Sequence, residues 1–358
     1  MTTTQDVLQH LCQQLFHKGQ AADSYFFAHE NKNTLLIRRE KEDCTLKNMS
    51  MACLILHKAR IDNKALASEA LFRMFPVTIR ELISRTAHSE DIPPVGSLEL
   101  FFFQNHSVVN NRIQPVYAWV PDADRLYLDC FFQAPIQTEL AASPLYTLSD
   151  VASHNHRQVL DAVMLAITTT IDIFNNKTLH SPESIAIFME KIQPFMTWGG
   201  EFDGDGQCYI GASGTMSPLF NYLHDFFDIQ SASPMNHILL HSRKYLASAD
   251  RRRIQTAKEY GECIRQQLTN KASIEKYNAC LAAFFRLRQM HSKVAMKAIS
   301  RCPHDYQSTG LTTRIDNHAE TLASFRQLNA DTRRSLLTTA HGSDEQGRQD
   351  AAINRSRS

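Results

Sequence analysis

From Ala272 to Ser300 the chain carries an apolar stripe at one helical spacing: Tyr277, Cys280, Leu281, Phe284, Leu287, His291, Val294, Ala295 and Ala298. A pattern sustained over so many residues specifies a long amphipathic helix, and such a helix must bury its stripe against other elements. One member is out of character. His291 falls in phase with the stripe and therefore points inward, where an imidazole is either a hydrogen-bonded core residue or a ligand to a metal or haem iron through one nitrogen.

The bulk of the chain bounds the answer further. Its 358 residues suffice for one large domain or two modest ones. Hydrophobic residues at 43% and charged residues at 21% are those of an ordinary globular protein. The net charge of +1 gives no global field to attract nucleic acid or an anionic membrane, so neither is expected as a partner. No apolar run approaches the roughly 18 residues of a membrane span. Met1 to Phe16 lacks a basic region followed by an apolar core and does not read as a secretory leader. The eight cysteines are spread singly with no CxxC pair, as expected of reduced thiols packed into the core of a cytoplasmic protein.

Along the chain, short helical patterns occupy Met49–Arg60, Ala65–Arg73 and Thr78–Thr86, and Pro93-Pro94 stops the last of them. Leu98–Phe103 is an apolar run short enough to be a strand or a buried helix, and Pro115–Val120 reads as a strand entering a turn. A soft boundary is placed near 125–130. Beyond it the pattern is helical over Tyr127–Ala142, Ser149–Phe174 and Pro182–Phe195, the last opened by Ser181 as cap with Pro182 in the first turn. A glycine-rich interruption spans Trp198–Gly214. Helices resume at Pro218–Phe227, Asn236–Leu246, Arg251–Leu268 and Ala272–Ser300, with a final one over Ala319–Thr338. The organisation expected is a small mixed domain over 1–126, a helical domain over 127–340 and a polar, disordered tail over 341–358.

Several segments bear on chemistry. Gly206 to Ser217 packs glycines and small residues ahead of a helix, which lets backbone approach a flat ligand, and Ser213 offers a hydroxyl there without bulk; a plain surface loop with a helix cap is the other reading. It is not a phosphate loop, because no GKS or GKT ending and no GxGxxG spacing is present. Phe101-Phe102-Phe103 and Phe131-Phe132 are aromatic clusters suited to a core or to the wall of a planar-substrate pocket. Arg286 and Arg288 precede His291 on one helix, so that one of them can reach a carboxylate such as a haem propionate, or both can lie on a solvated face. His154 and His156, two apart on an expected helix, point to different faces and make a poor metal pair.

Taken in order, these segments resemble the indoleamine 2,3-dioxygenases. Phe131-Phe-Gln-Ala-Pro-Ile-Gln-Thr-Glu-Leu-Ala-Ala-Ser143 is similar to that family's distal-side helix, with its Phe-Phe pair and later Glu-x-Ala-Ala. Pro93-Pro94 with Asn105 resembles the preceding pocket segment, and Gly211-Ala-Ser-Gly-Thr-Met-Ser217 the loop over the haem. Arg243-Lys-Tyr-Leu246 with Arg251-Arg252-Arg253 is similar to an Arg-Arg-Tyr-Met and basic stretch. Tyr277-Asn-Ala-Cys280, Arg288 and His291 resemble the proximal helix, and Ser308-Thr-Gly-Leu-Thr312 a late Gly-Thr-Gly-Gly-Thr loop. Gln193-Pro-Phe195, Tyr209-Ile-Gly211 and Pro218-Leu-Phe220 are at least as similar to the branch that holds the pyrrolnitrin-pathway ring-rearranging enzyme, monodechloroaminopyrrolnitrin synthase. The likeness runs over about residues 90–312.

The resemblance implies a mainly α fold, an all-helical haem-binding domain with a smaller mixed N-terminal domain that contributes pocket segments. It implies haem b held by its iron on His291, with Arg288, Ser213 and Gly214 also at the cofactor. Ser213 and Gly214 take the catalytic face, and Phe101, Phe131, Phe132, Gln193 and Thr309 the substrate. Asp225 and Asp228 are candidates to fix the second ring nitrogen of His291. The expected partners are a small aromatic substrate and dioxygen, the expected activity an oxygenase that inserts dioxygen into an indole-type, tryptophan-like ring, in a monomer or homodimer. Three positions depart from the dioxygenase pattern: Gln193 stands where an arginine holds the substrate carboxylate, Pro135 where a distal serine would be, and Leu311 replaces a glycine of the late loop. They favour, as alternative, a haem-dependent tailoring enzyme of secondary metabolism that performs a rearrangement or mono-oxygenation. A haem sensor or carrier, or a helical protein with no cofactor, is the reading outside enzymology.

Overall fold

The computed structural model describes residues 77–94, 106–109, 112–115, 122–149, 155–189, 199–201, 208–210, 217–300 and 318–341. Among them the chain is mainly helical. In order come α1 (Val77–Glu90), strands β1 (His106–Val109) and β2 (Arg112–Pro115), α2 (Asp122–Ser149), α3 (His156–Phe174), a 3-10 turn (Lys177–His180), α4 (Pro182–Ile187), strands β3 (Gly199–Glu201) and β4 (Cys208–Ile210), α5 (Pro218–Phe226), α6 (Pro234–Ser242), a second 3-10 turn (Arg243–Tyr245), α7 (Ser248–Gln266), α8 (Lys271–Ser300) and α9 (His318–His341). The strands form two antiparallel two-stranded ribbons, His106 opposite Pro115 in one and Gly199 opposite Ile210 in the other.

The helix starts follow local chemistry. Ser181, Ser217 and Ser233 each accept a hydrogen bond from a first-turn N–H, and each is followed by proline, whose missing N–H costs nothing there. The expected helix over Ser149–Phe174 is divided instead. Ser149 ends α2, and α3 opens at His156 because the Asn155 side chain accepts from the Arg157 N–H. His154 and His156 therefore do not share a helix of the described chain. The helix expected over Asn236–Leu246 stops at Ser242 and tightens into the 3-10 turn that carries Arg243. Pro115 is the last residue of β2, and the rest of the strand expected over Pro115–Val120 lies outside the described residues. The segments Met49–Arg60, Ala65–Arg73 and Leu98–Phe103 and the tail beyond His341 lie outside the described residues.

The core forms where α8 meets its neighbours. Tyr277, Cys280, Leu281, Phe284 and Leu287 are all buried, as their spacing requires. They face α3, whose Val159, Leu160, Val163, Ala166 and Ile167 are fully enclosed, and the Cys280 thiol donates to the Leu160 carbonyl at 3.3 Å. Burial pushes that thiol up to about 12, so it stays protonated and packs as a small hydrophobe. Cys263, by contrast, is exposed, against the expectation that the cysteines fill the core. On its other side α8 receives α9, where Phe325 and Leu328 pack with Met235 and Ile238 of α6 and with Ala295. Helix α2 covers α3, and α5 lies along α7.

Two details set α5. Its C-terminus closes with the Ile229 N–H on the His224 carbonyl at 3.0 Å and the Asp228 N–H on the Asp225 carbonyl at 2.9 Å, with Asp228 at φ 51° in the left-handed region glycine usually fills. On α7, Gly261 has no side chain to hold off the last turn of α5: a Cβ there would lie 2.0 Å from the Phe226 carbonyl oxygen. Arg265, one turn on, donates to that same oxygen at 2.8 Å. The end of α5 is thus fixed against α7.

Candidate functional site

One face of α5 carries Phe220, His224 and Phe227, spaced by four and three residues. It meets the α8 face built from Tyr277, Phe284, Arg288 and His291. Phe227 packs on Tyr277 at 5.5 Å and on Phe284 at 5.7 Å between ring centres, and Phe220 on Phe284 at 6.2 Å and on His291 at 5.4 Å. Phe174, the last residue of α3, completes the surround edge-to-face with the His291 ring, 5.9 Å between ring centres.

His291 has an unusual setting. It lies deep enough that burial, with the nearby Arg288 charge, pushes its imidazole down to about 4, so it is neutral across the physiological range. Yet His291, Phe174 and Phe220 all keep part of their surface uncovered. Among the described residues neither ring nitrogen has a hydrogen-bond partner. A core histidine ordinarily has one, because leaving a buried polar atom unmet costs about 1–3 kcal/mol.

The two expected partners of its second nitrogen are engaged elsewhere. Asp225 takes two bonds from Arg243, at 2.8 and 2.6 Å, and one from His224 Nδ1 at 3.3 Å. Asp228 accepts from Gln230 and pairs with Lys258. The two arginines separate cleanly. Arg286 is exposed on the solvent face, whereas Arg288 is 7% exposed, with its guanidinium 5.4 Å from the Phe284 ring and Nη1 without a hydrogen-bond partner among the described residues. Burial lowers the Arg288 pKa to about 10, which still leaves it charged. A buried cation without an acid is costly unless something outside the described residues pairs with it.

A second buried group was not signalled by the sequence. Glu139 on α2 accepts from the Tyr146 hydroxyl at 2.8 Å and from the Leu219 N–H, in the first turn of α5, at 3.1 Å. Burial pushes its carboxyl up to about 7 against those two bonds. Arg253 of α7 stacks over the Tyr146 ring at 4.8 Å and bonds Asp250 at 2.8 Å, so α2, α5 and α7 converge there. The local signal was the Glu139–Tyr146 spacing of seven, which puts both on one helix face; the Leu219 contact is eighty residues distant and invisible locally. His224 was missed for the same reason, although its spacing of four from Phe220 places it on the same face of α5.

Of the other residues expected at the site, Phe131 and Phe132 lie on α2 with side chains outside the described set, and Phe101, Gln193, Ser213, Gly214 and Thr309 lie outside the described residues altogether. Among the described residues no group of three or more His, Cys, Asp or Glu is placed to hold a metal ion. No described helix is long and apolar enough to cross a membrane. No protein-family model matches the chain, and no curated protein matches it significantly.

Proposed function

We propose that the chain is a haem-dependent oxygenase acting on an indole-type aromatic substrate. The observation that carries the reading is His291: a neutral imidazole packed against Phe174 and Phe220, without a hydrogen-bond partner among the described residues, three residues past a buried arginine that has no ion pair among them. These residues suit haem b. His291 would hold the iron through one nitrogen, Phe174 and Phe220 would pack beside the porphyrin, and Arg288 would pair with a propionate. When bound, haem supplies an iron that activates dioxygen for insertion into an electron-rich ring.

The chain's own contribution is to bind, orient and exclude water. Burial and the Arg288 charge keep His291 unprotonated, so no proton would compete for a nitrogen that ligates. By the resemblance, Phe131, Phe132 and Phe101 wall the substrate, Ser213, Gly214 and Thr309 position its polar groups, and Gln193 faces its side chain. Gln193 in place of an arginine, and Pro135 in place of a serine, favour the tailoring reading, because a substrate without a free carboxylate asks for neither group. A Gln193→Arg variant that gains affinity for tryptophan supports the carboxylate role of this position; unchanged affinity counts against it.

The absorption spectrum of haem-supplied protein, ferric and ferrous, with and without carbon monoxide, tests the proposal. A Soret band that moves on reduction and again on adding carbon monoxide is the expected result and requires an open coordination position. A band that ignores carbon monoxide points to a sensor or carrier with both positions filled. No Soret band removes both enzyme readings.

A further inference from the structure

We infer that His224 and Arg288 together form a buried two-point site for one carboxyl group, with His224 supplying the second contact. The inference begins with two unmet polar atoms. His224 is 3% exposed and its Nε2 has no partner among the described residues; Arg288 is 7% exposed and its Nη1 has none among them. They come from facing helices. His224 lies between Phe220 and Phe227 on α5, and these pack on Phe284 and its neighbours, the stretch of α8 that carries Arg288. The Arg288 guanidinium rests against the same Phe284 ring. Arg288 is also close enough to act on the His224 imidazole electrostatically.

The chemistry of the missing group follows from what surrounds each atom. Asp225 is ionised, since Arg243 holds both its oxygens, so the Nδ1 of His224 must carry the proton that points at it. The Nε2 then offers a lone pair, and Arg288 Nη1 offers an N–H. A group that meets both presents a donor to one and an acceptor to the other. A carboxyl group that enters with its proton does so. Its proton lies at or on Nε2, and its other oxygen accepts from Arg288.

Written as ions, the filled site is a row: Arg243 cation, Asp225 carboxylate, His224 imidazolium, bound carboxylate, Arg288 cation. Every buried charge then has an opposite neighbour. A carboxamide satisfies the hydrogen bonds but leaves Arg288 without a counter-charge. The carboxyl can come from a haem propionate, in which case the inference rests on the haem reading, or from the substrate itself.

The experiment compares wild type with His224→Leu and, as a polar control that keeps a group under Asp225, His224→Gln. Each is titrated with protohaemin and with its dimethyl ester, whose propionates cannot pair, and the Soret band is followed. With a propionate in the site, both variants lose about tenfold or more in affinity for protohaemin and stay within about twofold for the ester. Equal losses for both porphyrins, or no loss for either, overturn that source. Indole-3-propionate and its amide are then compared by thermal unfolding of the full chain, which is also the deciding arm if wild type takes up neither porphyrin and the haem reading has failed. A rise with the acid alone, absent in the His224 variants and in Arg288→Met, places a substrate carboxyl in the site. No acid-specific rise overturns the inference.

Discussion

Arg243 and Asp225 meet end to end, two guanidinium nitrogens donating to the two carboxylate oxygens at 2.8 and 2.6 Å, while Nε of the same arginine donates to Asn221 at 3.0 Å. The pair ties the 3-10 turn after α6 to the last turn of α5 and sets the tautomer of His224. Burial alone would raise the Asp225 pKa, but the bonds from His224 and Arg243 and the Arg243 charge outweigh it and hold the group below its ordinary value of 3.8. Asp225→Asn is therefore expected to cost about 2 kcal/mol at neutral pH. A carboxyl depressed in the folded state contributes fully above its unfolded value and loses that contribution as pH falls through the folded one. Urea unfolding should show the gap between wild type and variant persisting down to the aspartate range and closing in stronger acid.

Gly261→Ala tests the seat of α5. The new Cβ would meet the Phe226 carbonyl at 2.0 Å, a backbone atom held from the other side by Arg265 and unable to swing away like a side-chain tip. Alanine normally favours a helix over glycine by up to about 1 kcal/mol. Here it should destabilise, by about 2 kcal/mol or more, as overpacking does. A variant as stable as wild type in chemical denaturation would mean that the two helices are not in contact there.

Glu139 should make stability depend on pH in the opposite sense to Asp225. Its folded carboxyl titrates at about 7, above the ordinary 4.5, because burial opposes its charge. Below the ordinary value both states are protonated and the contribution is complete. As pH rises from there toward 7 the unfolded chain ionises first, and folding loses at most about 1.4 kcal/mol per unit, roughly 3 kcal/mol in all. Glu139→Gln keeps an acceptor for the Leu219 N–H and removes the titration. Its stability relative to wild type should be higher at about pH 8 than at about pH 5; parallel profiles would show that Glu139 ionises normally.

Arg288→Met should separate stability from function. Without bound carboxylate, a buried guanidinium lacking an acid opposes folding, and an apolar side chain of similar length relieves that by about 1–3 kcal/mol. The ligand-free variant is expected to unfold at higher urea than wild type. If it is less stable, Arg288 is already paired in the free protein.

His291→Ala should abolish haem retention while leaving the helical fold, since the ring makes no hydrogen bond among the described residues whose loss would be felt. Far-ultraviolet circular dichroism checks the fold and the Soret band the retention. A variant that keeps normal haem content sinks the ligand assignment.

What could be read from the amino acids was what depends on near neighbours. The stripe on α8 is legible because helical period and burial coincide from Tyr277 to Leu287. The starts of α4 and α5 are legible because a serine cap followed by proline is a local signature. Asn155 has the same capping chemistry, but the apolar period runs on past it from α2 to α3 and hides the break. Arg286 and Arg288 look alike in sequence. They part only because two residues on a helix turn the side chain by more than half a circle, so one faces water and the other faces α5. The roles of Asp225, His224 and Glu139 were not legible, since each depends on a group brought from another element: Arg243, Arg288 and the Leu219 N–H.

Pro135 sits inside α2, where it has no N–H to give to the carbonyl four residues back. That carbonyl belongs to Phe131. The helix therefore leaves the Phe131 carbonyl without its usual donor four residues on. Where a serine hydroxyl can be lost by a single substitution, this acceptor persists whatever side chain evolution places at 131. What position 135 changes is thus the backbone of its own helix, and a residue with an N–H there would draw the Phe131 carbonyl back into the ladder.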